Sequence, residues 1–227
     1  MSDPLPTLSA AEVRVLGSLI EKQITTPDNY PLSLNSLTNA CNQLTNRDPV
    51  VVYDDQTVVA AIDALRDQRL ATLFHGAESR VAKYRHSLQD TLPLPSAEVA
   101  VLCVLLLRGP QTVGELRTRT ERLHAFESLA DVEAALQQLV THVPPLVTKL
   151  PRQPGTKESR YAHLLAGAPE PAIERSTAPL PSATPVVPTP PSELERVTRL
   201  EAEVADLRQQ VTFLTEQLAE VRKGMRE

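Results

Sequence analysis

LSAAEVRVLGSLIEKQITT, residues 8–26, recurs later in the chain as LPSAEVAVLCVLLLRGPQT, residues 94–112, with AEV and VL kept in register. Two further pairs of blocks follow in the same order. TVVAAIDAL from Thr57 matches DVEAALQQL from Asp131, and KYRHSL from Lys83 matches RYAHLL from Arg160. Because three matched blocks keep one order, the sequence predicts two copies of a single small domain.

Each copy is expected to contain three helices and a two-stranded hairpin. In the first copy, Ser9 with Glu12 forms a capping-box pattern, a second helix begins near Ser33, and a third begins at the N-cap Asp54. The runs LATLF and RVAKYRH that follow are typical of short strands. The second copy repeats this plan, with PRQPGTKES as the turn of its hairpin. Its helix-capping pairs are Thr112 with Glu115 and Ser128 with Asp131.

Three helices followed by a hairpin is the order of a winged helix-turn-helix domain. The predicted fold is therefore mainly α with small β-hairpins (α+β), as tandem winged helix-turn-helix domains at residues 1–90 and 91–167. A proline-rich linker follows at 168–192, where eight of 25 residues are Pro. We expect this linker to be extended, because proline is excluded from helix and sheet interiors. The predicted coiled-coil helix covers residues 193–227.

The last segment keeps an apolar heptad. Mostly β-branched residues at position a with mostly Leu at position d favour a parallel two-stranded coil, so the chain is expected to form a homodimer. The alternative is a single amphipathic helix that folds back on the domains. The expected dimerisation residues are Val197, Leu200, Val204, Leu207, Val211, Leu214, Leu218 and Val221.

Composition and missing motifs narrow the function classes. The longest apolar run, residues 99–107, is far shorter than the roughly 20 residues that cross a bilayer, and two cysteines without ligand spacing suggest reduced thiols. We therefore expect a cytoplasmic protein that is not a membrane protein. No phosphate-binding loop or metal-ligand motif occurs in the sequence, so we predict neither a cofactor nor a metal, and no enzymatic activity.

The segment NACNQLTNRDP, residues 39–49, is the most distinctive polar stretch. Its amides and its closing proline suit the end of a helix and the turn after it, so its role is predicted to be structural. Arg47 is expected to bind terminal carbonyls, Asp48 or a carboxylate elsewhere. The residues of this motif are Asn39, Cys41, Asn42, Gln43, Asn46, Arg47 and Pro49.

The stretches EKQITTPDNYPLSLNSLTNACNQLTNRDPV, LLLRGPQTVGELRTR and PGTKESRYAHL resemble the YceH family of bacterial proteins of unknown function. The resemblance covers about residues 8–165. It implies a tandem winged-helix fold in a cytoplasmic bacterial protein, and it carries no catalytic residues across. The linker is longer than the family suggests.

The second copy is the better candidate for binding double-stranded DNA. The third helix of a winged helix usually enters the major groove. In the first copy its outer face carries Asp63 and Asp67, which repel phosphates, whereas the second copy presents Ala130, Ala134, Gln137 and Thr141. The alternative is an ordinary solvated set of charges. The expected DNA-contacting residues are Arg117, Arg119, Arg122, Gln137, Lys149, Arg152, Lys157 and Arg160.

Two functions fit these features. The first is a dimeric, non-enzymatic DNA-binding regulator or accessory factor that contacts DNA through the second copy, although the net charge of −5 argues against binding by charge alone. The second is a scaffold that holds a protein partner through its winged helices and coiled coil. A small-molecule sensor with a pocket between the copies is a third class, for which no residue of the sequence identifies a ligand.

Overall fold

The computed structural model describes residues 7–74, 82–152, 155 and 158–168. The first repeat starts at Leu8, and α1 begins after Ser9, whose hydroxyl accepts the Glu12 N–H while the Glu12 carboxylate accepts the Ser9 N–H. The capping box is therefore confirmed. The elements of this repeat are α1 (Ala10–Thr25), a 3-10 turn (Pro27–Asn29), β1 (Leu32–Ser33), α2 (Leu34–Cys41), α3 (Asp55–Asp67), β2 (Ala71–Phe74), β3 (Lys83–His86) and α4 (Leu88–Thr91).

The second repeat follows the same order. Its second and third helices open with the predicted capping boxes at Thr112 and Ser128, and Gly109 ends the preceding helix with a φ of +67°, a conformation that suits glycine. Its elements are α5 (Ser96–Arg108), α6 (Val113–Thr120), α7 (Leu129–Thr141), β4 (Val147–Lys149) and β5 (Tyr161–His163). Three helices and a hairpin thus occur twice, and the α+β class is confirmed.

The two sheets are small and antiparallel. In the first repeat the strand order is β1-β3-β2, with Leu32 and Leu73 both opposite Tyr84 on the central strand. The sequence did not predict β1, which is only two residues long. In the second repeat β4 pairs with β5 alone, with Val147 opposite His163.

Helices α1 and α5 pack against each other and join the two repeats in one core. Gly17 lies at the contact, where a Cβ would come 2.9 Å from the Leu107 side chain. The thiol of Cys103, on α5, donates to the Gly17 carbonyl at 3.5 Å. At the edge of this contact the Leu8 N–H donates to the Leu165 carbonyl at 2.7 Å. The first helix of each repeat therefore buries its apolar face against the first helix of the other repeat.

The polar segment 39–49 spans the end of α2 and the start of the loop to α3. Arg47 is buried, and its guanidinium donates to the Glu21 carboxylate at 2.6 Å and to the Ala40 carbonyl at 2.8 Å. The loop also reaches the second repeat, since the Asp48 N–H donates to the Leu107 carbonyl at 2.9 Å. Two of the three partners expected for Arg47, a terminal carbonyl and a distant carboxylate, are thus present, whereas no ion pair with Asp48 occurs among the described residues.

Several predictions concern residues that the structure does not describe. The described residues belong to one compact unit, and the predicted coiled coil and almost all of the predicted linker lie outside them. The dimerisation residues and the domain boundaries therefore stay predictions. Among the helices of the described part, none is long and apolar enough to span a bilayer.

Candidate nucleic-acid interface

One strip of the solvent-facing side of α7 carries no charged residue. Ala130, Ala134, Gln137 and Thr141 are exposed there, while the opposite side packs Val132, Leu136 and Leu139 into the core. Of the two acidic residues of α7, Asp131 accepts hydrogen bonds from Ser128 in the capping box, and Glu133 is exposed beside the neutral strip. These side chains are small or neutral enough to approach a nucleic-acid groove.

The repeat alignment makes a direct comparison with α3 possible. Asp63 occupies in the first repeat the position that Gln137 holds in the second, and Asp67 corresponds to Thr141. Both carboxylates are exposed, and among the described residues Asp63 pairs with Arg66 at 2.7 Å while Asp67 forms no ion pair. The same helix face is therefore acidic in one repeat and neutral in the other.

On α6, Arg117 is exposed and has no carboxylate partner within the described residues. One of its terminal nitrogens donates to the backbone carbonyl of Glu127 at 3.1 Å. Because a carbonyl has no net charge, this contact does not neutralise Arg117. This contact leaves other guanidinium N–H groups for an external acceptor. Arg117 thus lies next to α7 as an available cation, since α6 packs on α7.

Two of the expected DNA-contacting arginines bind Glu115 instead. Arg160 donates to both oxygens of that carboxylate, at 2.7 and 3.3 Å, and to the Pro110 carbonyl at 2.8 Å. Arg119 lies 3.6 Å from the same carboxylate. Burial alone raises the pKa of Glu115, but hydrogen bonds from the Thr112 N–H and from Arg160 outweigh it and lower the pKa, so the carboxylate stays ionised and holds both cations.

Arg122 joins the two repeats. Its guanidinium lies 3.4 Å from Glu21, the carboxylate that also binds Arg47, although the Arg122 side chain is 57% exposed. The pocket beside this contact, at the junction of the repeats, has a volume of about 10 Å³. A cavity of that size holds about one water molecule, so it does not provide the ligand site that was considered between the copies.

The hairpin of the second repeat supplies two more exposed cations. Lys149, at the end of β4, lies 5.7 Å above the Tyr161 ring, and Arg152 follows it in the turn. Gly155 in this turn has a φ of +81°. Lys157, the remaining expected contact, lies outside the described residues.

Seven of the eight predicted DNA-contacting residues are described, and they fall into two groups. Arg117, Gln137, Lys149 and Arg152 are exposed and carry no ion pair among the described residues, whereas three arginines are bound to carboxylates. The spacing of Glu115 and Arg119, four residues apart on one helix, signals their pairing in the sequence. The Arg160 and Arg122 pairs join residues far apart in the chain, and no local pattern reveals them.

The described residues contain no group of three or more His, Cys, Asp or Glu side chains placed to hold a metal ion. Both cysteines are buried, and burial raises the pKa of each thiol. A thiol with a raised pKa is a poor nucleophile at neutral pH.

Comparison with known proteins identifies the family. Residues 8–156 match the family described as "Protein of unknown function, DUF480". A UPF0502 protein of Opitutus terrae is 55% identical over 207 residues, covering 91% of this chain and 85% of that protein. A UPF0502 protein of Geotalea daltonii is 56% identical over 197 residues, covering 87% and 88% of the two chains. The chain belongs to the DUF480 family, which agrees with a family of unknown function, while the YceH name stays an expectation.

Proposed function

We propose that this member of the DUF480 family is a tandem winged-helix protein that binds double-stranded DNA through its second repeat. One observation carries the proposal: the outer face of α7 has Gln137 and Thr141 where α3 has Asp63 and Asp67. A third helix that enters the major groove must approach two rows of phosphates, so exposed carboxylates oppose its entry and neutral amides and hydroxyls permit it.

The cations around α7 support the same face. Arg117 lies on the neighbouring helix, and Lys149 and Arg152 lie on the hairpin that follows α7. The hairpin is held close to α7, because the Leu146 N–H donates to the Leu139 carbonyl at 3.0 Å. In this proposal the helix face contacts base edges and the three cations contact the phosphate backbone.

The three paired arginines have a supporting role in this proposal. Arg160 links the hairpin to the start of α6 through Glu115, and this bidentate pair fixes the angle between the hairpin and the helix pair. Arg122, two residues after the end of α6, ties this part of the second repeat to the first repeat through Glu21. The first repeat then serves as the platform that positions the second.

The test exchanges the residues at the matched position of the two repeats. Gln137→Asp gives α7 the carboxylate that α3 carries, and Asp63→Gln is the control in the other direction. In a fluorescence anisotropy titration with a labelled duplex, Q137D is expected to weaken binding at least about tenfold, because it places an unpaired charge at the groove. D63Q is expected to bind as the parent protein does. Equal binding by Q137D and the parent protein would refute the assignment of α7.

The backbone contacts have their own test. The double variant R117A/R152A is compared with R66A/R69A, which removes two exposed cations from the first repeat. If the first pair contacts phosphates, the dimer loses four contacts, and the log–log salt slope of binding becomes shallower by about 3.6, since each contact contributes about 0.9. The control pair is expected to leave the slope unchanged.

Dimerisation through the heptad segment belongs to the same proposal. Two subunits double the number of phosphate contacts and raise the effective concentration of the second site. Leu207→Asp at position d is expected to yield a monomer in sedimentation velocity, whereas Gln209→Asp, at the outer position f, leaves the dimer intact. A parent protein that sediments as a monomer would contradict this part of the proposal.

A second candidate function, a protein-binding scaffold, is favoured by one observation. The loop between α2 and α3 exposes three aliphatic side chains: Leu44 is 80% exposed, Val50 48% and Val52 91%. Aliphatic side chains exposed on one loop can contribute to a contact with a protein partner. The test replaces Leu44, Val50 and Val52 by Ser together. If this loop binds a partner, the triple variant loses a protein that co-purifies with the parent protein at a fixed ratio, and its DNA binding is unchanged. An unchanged set of co-purifying proteins would argue against the scaffold.

A further inference from the structure

A pocket in the first repeat has no part in the proposed DNA interface. It has a volume of about 350 Å³ and opens between the C-terminal half of α1, the Tyr30–Pro31 turn, the β2–β3 pair and α4. Sites for small molecules commonly have volumes of roughly 300 to 1,000 Å³. The pocket is therefore large enough for a metabolite of the size of an amino acid.

Aromatic side chains form part of the pocket wall. Phe74, at the end of β2, lines the pocket and is 42% exposed, so a large apolar ring faces solvent. Tyr30 lines it as well, and its hydroxyl accepts the His86 N–H at 2.7 Å, which fixes the ring. Burial raises the pKa of Tyr30 to about 12, so its hydroxyl keeps a proton to donate. A planar ring of a ligand can stack in such a site.

Charges of both signs also line the pocket. Arg85 lines the pocket and is exposed, and its Nε donates to the Thr72 hydroxyl at 3.0 Å, a contact that uses neither of its terminal nitrogens. Asp90 is exposed too, and within the described part of the chain its carboxylate forms no ion pair, with Arg85 or with any other cation. A cation and an anion that do not neutralise each other can each bind an opposite charge of a ligand.

His86 lines the same pocket as a neutral side chain. Its pKa is lowered to about 4, mainly by burial, while Asp90 and Arg85 act on it in opposite directions. Its Nδ1 accepts the Leu88 N–H at 3.3 Å, which places the ring proton on Nε2. The inner wall of the pocket thus carries no net charge of its own.

We propose that this pocket binds an α-amino acid with an aromatic side chain. The ligand carboxylate binds Arg85, its ammonium group binds Asp90, and its ring packs on Phe74 and Tyr30. An anion without an ammonium group is repelled by Asp90, and a cation without a carboxylate is repelled by Arg85, so the paired charges select a zwitterion. This site is independent of the DNA-binding proposal, because it lies on the first repeat.

The test uses L-tryptophan as the probe. The chain contains no tryptophan, so excitation beyond the tyrosine absorption band reports on the probe alone. The anisotropy of the probe is expected to rise and saturate as the full-length protein is added. Tryptamine and indole-3-propionate, which each lack one charge, are expected to bind at least about tenfold more weakly.

Variants locate the site. Arg85→Gln and Asp90→Asn are each expected to weaken binding of L-tryptophan about tenfold or more, and Phe74→Ala is expected to weaken it severalfold. All three residues are exposed, so these variants should fold. The controls are Arg66→Gln and Asp67→Asn on α3, together with Q137D, and all three should bind the probe as the parent protein does.

Three results would overturn the proposal. The first is no anisotropy change at millimolar protein. The second is equal binding of the probes that carry one charge, which would exclude a zwitterion site. The third is unchanged binding in R85Q and D90N, which would place the probe elsewhere on the protein.

Discussion

The buried ion pair between Arg47 and Glu21 gives the sharpest prediction about stability. The exposed fractions of the two side chains are 0% and 4%, and the nitrogen–oxygen distance is 2.6 Å. The guanidinium also donates twice to the Ala40 carbonyl and once to the side chain of Gln43. Replacing Arg47 by Met therefore leaves a buried carboxylate and a buried carbonyl without their principal donors.

The expected cost follows from that geometry. Breaking a buried pair by removal of one partner typically costs 3–5 kcal/mol. Glu21 keeps Arg122 at 3.4 Å and Lys22 at 4.0 Å, so we expect a loss of about 3 kcal/mol in the free energy of unfolding. For a chain of this size, that loss lowers Tm by roughly 6–12 °C. Urea denaturation followed by circular dichroism measures the first quantity, and calorimetry measures the second.

Arg66→Met is the matched control. Arg66 and Asp63 lie 2.7 Å apart, almost the same distance, but their side chains are 41% and 54% exposed. An exposed pair contributes about 0–1 kcal/mol, so this change should shift stability little. The double variant E21M/R47M should recover most of the loss, because it removes both buried charges. If R47M lowered the free energy of unfolding no more than R66M does, burial would not explain how much the Arg47–Glu21 pair contributes to stability.

Three further predictions concern the core. Gly17→Ala should destabilise the protein by about 1–3 kcal/mol, because the new methyl group would lie 2.9 Å from α5; an unchanged urea midpoint would contradict this. Acid should destabilise the fold between about pH 6.5 and pH 4, because burial lowers the pKa of His86 and of His163 to about 4. In this range the unfolded chain takes up protons that the folded chain does not. The free energy of unfolding, measured at pH 7, 5.5 and 4.5, should therefore fall in that order. Cys41 and Cys103 should not react with a thiol reagent in native buffer and should react fully in urea, and fast native labelling would show that they are accessible.

The local features of the fold were predictable because they depend on neighbouring residues. The capping boxes at Ser9, Thr112 and Ser128 each need only a hydroxyl residue and an acid three positions later. The repeat then fixed the order of the elements. Strand β1, two residues long, has no pattern of its own and exists because β3 offers it a partner.

The charges of the candidate interface were only half predictable. Composition indicated which segments are basic, but it does not tell which cations are already bound to carboxylates. Arg160 finds Glu115 across 45 residues, and Arg122 finds Glu21 across 101. Such pairs depend on how the repeats pack, so three of the eight expected DNA contacts are engaged within the protein.

The asymmetry of the repeats is the basis of the functional proposal. The two copies contribute equivalent helices, α1 and α5, to the packing between them. The solvent-facing sides of α3 and α7, by contrast, differ in their charged residues. The strip of α7 at Gln137 and Thr141 is neutral and, beside exposed cations, suits a polyanion, whereas the matched strip of α3 at Asp63 and Asp67 does not. The first repeat carries instead the 350 Å³ pocket, so the two copies have separate roles in this account.

The most direct test of DNA binding is the anisotropy of a labelled random-sequence duplex with the full-length protein, titrated from about 25 to 200 mM salt. With Arg117, Lys149 and Arg152 contributed by each of two subunits, about six phosphate contacts are expected, which corresponds to a log–log salt slope of about −5. Binding that is saturable at low salt and falls with that slope would support the account. The absence of binding at the lowest salt would contradict it.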